Sequence, residues 1–253
     1  VLVQTLTAPV ALLADALSYL VSAMFLTRIR PTEPTPTDGG GLGIGQGLRF
    51  VARSRILRSL LLGTTTLNLF NYMFSALFVL YVSTELAISP GLLGLVIGAG
   101  SIGALLGAAA TGRLVRAFGI GRTVLASFVL FPAPLILVPL AGGPRPLVLA
   151  ALFVAEFLAG LGVMMLDITV GSLQTAVIPE TLLARVTGAK RTVNYGIRPI
   201  GALLGGSLGA AIGVRPTLWI ATVGAVAGLL WVLPTSIPRL RDLPEPDRAA
   251  DLG

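Results

Sequence analysis

The stretch that most constrains this chain runs from Gly91 to Arg122, GLLGLVIGAGSIGALLGAAATGRLVRAFGIGR. From Gly91 to Gly112 there are 22 residues without an ionisable side chain. At about 1.5 Å per helical residue they reach roughly 33 Å, enough to cross the hydrocarbon core of a bilayer. Gly94 and Gly98, then Gly103 and Gly107, form two small-xxx-small pairs. Such pairs let a neighbouring backbone come close where lipid offers no hydrophobic drive for helix pairing. Arg113, Arg116 and Arg122 follow within ten residues, and basic residues beside the end of a span mark its cytoplasmic side. The chain then re-enters an apolar run, so the whole stretch reads as a membrane hairpin.

Composition excludes most other classes. Hydrophobic residues make up 55% of the 253 and charged ones 11%, too little charge to cover a soluble domain of this length. Cysteine and histidine are absent, which removes disulfides, thiol nucleophiles, imidazole bases and the usual zinc sites; no cofactor and no metal are expected. The net charge of +7 is carried by turns between apolar runs rather than by a stripe with interleaved aromatics, so it reads as topology and not as nucleic-acid binding.

The fold class expected is an all-α membrane protein, a polytopic bundle of about seven transmembrane helices. The chain opens at Val1 without an initiator Met or a basic flank and reads as a fragment; Val10 to Leu26 is a span interrupted by Asp15, followed by Arg28 and Arg30. Residues 31–45, rich in Pro, Thr and Gly, read as a solvated linker. Gln46 to Arg58 reads as a short amphipathic helix on the inner leaflet, with Leu48, Val51, Ala52 and Ile56 on one side and Arg49, Arg53, Arg55 and Arg58 around them. Spans are expected at about 60–82, 91–112, 124–140, 147–170, the glycine row Gly201, Gly205, Gly209 and Gly213, and 218–233, before a charged, proline-rich tail. Sixteen of the eighteen basic residues then fall on one side, with Arg145 and Arg215 on the other.

Polar groups inside spans are the candidate functional residues. Asn68 and Asn71 share a helix face, with Tyr72 beside them; they could glue helices together or line a cavity. Glu156 and Asp167 are eleven residues apart, which at about 100° per residue returns to within roughly 20° of the start. Both should therefore lie on one stripe that avoids lipid. Glu156 is expected near the bilayer midplane, where a carboxyl can exchange protons as a cavity alternates between sides; Asp167 is expected near the inner end, paired with a basic side chain.

Two loops carry a resemblance. G-R-L-x-x-x-F-G-x-G-R, from Gly112 and Arg113 through Gly119 and Gly121 to Arg122, resembles the loop between the eighth and ninth spans of the major facilitator superfamily, with Arg116 standing where that family usually has an acid. Gln174, Val177, Pro179, Arg185 and Val186 resemble the stretch before its eleventh span, most closely that of its drug and siderophore exporters. The resemblance implies the C-terminal portion of that fold, about the sixth to twelfth spans. Residues 1–30 would end an N-terminal bundle, 31–58 would be a cytoplasmic linker and amphipathic helix, 59–236 a six-helix bundle, and 237–253 a disordered cytoplasmic tail.

It further implies a plasma-membrane secondary transporter, not an enzyme, that exports a small amphiphilic compound against protons. Glu156, Asn68, Asn71, Tyr72 and Asp167 would line its cavity, and Gly103, Gly107, Gly201, Gly205 and Gly209 would serve packing and gating. Its partners would be lipid, protons, the substrate and a missing N-terminal bundle, without which the fragment would be inactive. The alternatives are an intramembrane enzyme and an inert scaffold. Asp15 and Asp167 lack the Gly-x-Gly-Asp setting of an aspartyl protease, and a serine hydrolase would have only Lys190 as base.

Overall fold

A computed structural model describes residues 8–28 and 43–243. These fall into two units, residues 1–41 and 42–253. The first contributes one helix, α1 (Ala8–Arg28), apolar from Ala16 on, with Arg28 in its last turn. Most of the expected linker, and the chain beyond residue 243, lie outside the described residues.

The second unit is a helical bundle, α2 (Gly43–Arg53), α3 (Arg55–Thr84), α4 (Pro90–Phe118), α5 (Ile120–Leu130), α6 (Leu137–Leu140), α7 (Arg145–Val177), α8 (Glu180–Ile212) and α9 (Val214–Val226). Among the described residues, five segments are long and apolar enough to cross a membrane: 55–84, 90–118, 120–140, 145–177 and 214–231. The two other expected spans fall on α1, whose apolar part is shorter, and on α8. In α8 the glycine row is diluted by the charges of Arg185, Lys190, Arg191 and Arg198. Isolated large side chains such as Leu105 on α4 and Leu203 on α8 point outward, 72% and 74% exposed, as a surface solvated by lipid requires.

Chain breaks follow the sequence chemistry. Ser54 separates α2 from α3: its backbone is extended, and its Oγ accepts from Leu57 N at 3.4 Å, capping the orphan amides of α3. The expected single helix over 46–58 is therefore two. Gly119 has φ +85°, a left-handed conformation that side chains disfavour, and turns the chain from α4 into α5. Pro132 and Pro134 end α5 in a 3₁₀ turn (Ala133–Ile136) before the path resumes in α6.

Small residues set the helix pairs. A Cβ on Gly103 would strike Phe157 O, and one on Gly107 would lie 2.5 Å from Leu161 O, which seats α4 on α7; Gly160 meets Gly100 O in the same seam. On the other side, a Cβ on Gly201 would strike Leu69 O, one on Gly205 would lie 2.6 Å from Met73 O, and one on Gly209 would meet the Leu77 side chain, which joins α8 to α3. A Cβ on Gly94 or Gly98 would meet nothing within 4 Å, so of the two expected pairs on α4 it is Gly103 and Gly107 that sit in a close helix seam. Both glycine rows are consumed inside this bundle.

Two apolar clusters fill the interior. One gathers Phe74, Tyr81, Val96, Val138, Leu152 and Leu218. The other gathers Val51, Leu60, Phe128, Leu173, Val186 and Ile237. Val51 places the amphipathic helix α2 against α8, where a Cβ on Gly47 would lie 2.6 Å from Arg185 O and Arg185 Nη1 donates to Gln46 Oε1 at 2.8 Å. Val51 and Gly47 thus pack within the protein, where Gly47 allows the close approach, while Leu48 stays 44% exposed. Residues 237–243 are ordered too: a 3₁₀ turn (Ile237–Arg239) buries Ile237 completely, so the expected disordered tail does not begin at 237.

Candidate functional site

Three helices meet around a polar cavity of about 520 Å³. Helix α3 supplies Thr64, Asn68, Asn71 and Tyr72, α7 supplies Asp167 and Gln174, and α8 supplies Lys190, Arg191, Asn194, Tyr195 and Arg198. Thr64, Asn68 and Asn71 recur at four and three residues, Asp167 and Gln174 at seven, and Lys190, Asn194 and Arg198 at four, so each series follows the face its helix turns to the cavity. Four of the five expected cavity residues, Asn68, Asn71, Tyr72 and Asp167, come together here.

The amides cross-link α3 and α8. Asn68 Nδ2 donates to Thr64 O at 2.9 Å and to Asn194 Oδ1 at 3.4 Å, and Thr65 Oγ1 donates to the same Asn194 oxygen at 3.2 Å. Asn68 thus both glues helices and lines the cavity. The Arg198 guanidinium lies over two rings, 4.9 Å from the centroid of Tyr72 and 4.1 Å from that of Tyr195, which holds a cation by the ring quadrupoles. Its Nε is buried without an acceptor, and so is Nε2 of Gln174, which is 5% exposed. Arg198 is the charge that acts on the Asp167 carboxyl. Burial, and secondly the adjacent Arg191, push the Lys190 amine down to about 8; Lys190 sits in the charged N-terminal half of α8, outside the segments that qualify as spans.

Glu156 lines a second cavity of about 440 Å³, with Ser75, Ser101, Gly100 and Gly160. The two cavities share Asn71, Phe131 and Val163 in their walls. A Cβ on Gly100 would lie 3.4 Å from Glu156 Oε2, so the glycine makes room for the carboxyl.

The loop motif forms no part of either cavity. Gly112 and Arg113 lie in the final turns of α4, and Gly119 forms the turn. Ile120 N and Gly121 N donate to Arg241 O and Leu240 O, each at 3.0 Å, and a Cβ on Gly121 would strike Ile237 O. The C-terminal segment therefore pins the motif, with Arg122, Arg241 and Asp242 around a surface pocket of about 490 Å³.

Sequence reasoning missed Asn194 and Tyr195 as site residues and read Gln174, Lys190, Arg191 and Arg198 as loop markers. The signal was present: Lys190, Asn194 and Arg198 stand four apart, which on a helix makes one stripe. Basic residues near a span end were read as orientation signals alone.

These features define a polytopic membrane bundle with cavities between its helices. A family model for transmembrane secretion effectors matches residues 1–249, and the chain belongs to that family, a branch of the major facilitator superfamily. It is accordingly a multi-pass membrane transporter. No curated protein and no solved structure matches the chain.

Proposed function

We propose that the protein is a secondary active exporter of a small amphiphilic compound, driven by protons entering through Glu156. The observation that carries the reading is contiguity: Glu156, the one acid of the second cavity among the described residues, and the polar lining of the first meet at Asn71, Phe131 and Val163. A carboxyl inside a membrane bundle is costly unless it serves a path or a coupling role. Loading and unloading a proton at Glu156 would change the charge beside the wall that a substrate touches, which is how a proton gradient can bias alternating access. In this reading the protein works in the plasma membrane with its basic loops in the cytoplasm, and an N-terminal bundle supplies the opposing wall.

The test is export of rhodamine-type and fluorescein-type dyes from energised cells producing the protein. Export that stops when a protonophore collapses the gradient supports the proposal. Export that survives collapse while depending on ATP would contradict it.

A further inference from the structure

The cavity between α3, α7 and α8 carries an excess of positive charge that the protein leaves unspent. Lys190, Arg191 and Arg198 line it against one acid, Asp167. Among the described residues, Asp167 makes no hydrogen bond to any of them. The Arg198 guanidinium lies against the Tyr72 and Tyr195 rings, and its buried Nε has no acceptor. A guanidinium with a buried N–H that lacks an acceptor suits a planar or tetrahedral oxyanion, to which it can offer two parallel donors.

A second observation points the same way. Gln174 is 5% exposed, lines the cavity, and leaves its amide nitrogen without a partner. A buried donor without an acceptor is costly, and a bound acceptor removes that cost. Asn194 adds to the set: its oxygen already accepts from Thr65 and Asn68, which leaves its NH₂ as the group it can offer.

We infer that this cavity binds the anionic head, carboxylate, sulfonate or phosphate, of an amphiphilic molecule, with Arg198 as the forked donor and Gln174 and Asn194 as neutral donors. Lys190 and Arg191 attract the anion, and the Tyr72 and Tyr195 rings receive its apolar body. The inference rests on the transporter reading for its meaning as a substrate site, but the binding itself is independent of any gradient.

Two probes of one ring skeleton and opposite charge test it: carboxyfluorescein and rhodamine 6G, titrated by fluorescence anisotropy against the purified full chain in phosphatidylcholine nanodiscs. Arg198→Gln is expected to weaken carboxyfluorescein binding about tenfold or more, the scale of a charge-assisted hydrogen bond, and to leave rhodamine 6G unchanged or tighter. Arg198→Lys restores part of the loss. An unchanged carboxyfluorescein affinity, or an equal loss for both dyes, overturns the site. Should Arg198→Gln melt early, Lys190→Gln and Gln174→Leu carry the same selective expectation. Repeating the titration in phosphatidylglycerol nanodiscs, both arms at about 0.5 M salt to screen surface repulsion, separates the sources of the anion. Binding retained there supports a soluble amphiphile, whereas binding abolished there assigns the site to a lipid headgroup and overturns the substrate claim. A protein that binds carboxyfluorescein but exports nothing keeps the site and refutes the transport reading; one that exports rhodamine 6G without binding carboxyfluorescein does the reverse.

Discussion

Glu156 and Asp167 stand eleven residues apart on α7 and open into different cavities, Glu156 beside Gly100 and Ser101, Asp167 opposite Arg198. The spacing places both on one stripe of the helix; Val163 lies between them on α7 and, with Asn71 and Phe131, belongs to the walls of both cavities. Two acids on one face can therefore do separate work. Asp167 faces a cationic set that can hold an anion, while Glu156 faces serine, glycine and apolar groups.

The glycine seams yield the first prediction. At Gly205 a Cβ would lie 2.6 Å from Met73 O, whereas at Gly98 nothing lies within 4 Å. Gly205→Leu should destabilise the bundle by about 1–3 kcal/mol, the usual cost of overpacking, and Gly98→Leu should be tolerated. Thermal melting of the purified variants checks this; equal melting temperatures would contradict the assigned seam.

The C-terminal segment carries the second. Ile237 is fully buried, and its neighbours accept hydrogen bonds from the α4–α5 turn. Ile237→Ala should cost about 2–5 kcal/mol, as for a large-to-small change in a core. Amide hydrogen exchange at Ile120 and Gly121 should rise with it, and unchanged exchange would show that the turn holds by itself.

How much was legible beforehand differs between fold and site. The spans at 60–82, 91–112 and 147–170 and the glycine face of α8 were readable, because an apolar run of that length and a four-residue glycine repeat each have one physical use in a membrane. The partner of that face was not: nothing in Gly201, Gly205 or Gly209 says that they meet Leu69, Met73 and Leu77 of α3 rather than another bundle. Asn68, Asn71 and Tyr72 were found as polar groups in an apolar span. Arg198 was hidden by its charge, since an arginine near a span end looks like an orientation signal until a helix is seen to carry it between two tyrosines.

Lys190 gives the third prediction, on pH. Its amine is lowered from 10.5 to about 8, by burial first and Arg191 second, so it is charged below about 8 and neutral above. Arg191, Arg198 and Asp167 are the other ionisable groups that line the cavity among the described residues. Anion affinity should therefore fall as pH rises through about 8, and Lys190→Gln should flatten that step. A titration curve for carboxyfluorescein that keeps the step in Lys190→Gln would assign it to another group.

Topology is the fourth. The absence of cysteine allows single cysteines to be introduced cleanly. A cysteine at Arg116 should react with an impermeant maleimide only after the cytoplasmic side is opened, and one at Glu85 or Pro144 should react in intact cells. Labelling of position 116 from outside would invert the proposed orientation.

The central claim is that Glu156 couples a proton gradient to export, and Glu156→Gln tests it most directly, because the amide cannot take up or release the proton. In proteoliposomes, Glu156→Gln should lose gradient-driven accumulation of dye while retaining its exchange at equal concentration on both sides, and Asp167→Asn should lose less. Accumulation by Glu156→Gln with the wild-type dependence on the proton gradient would contradict the account.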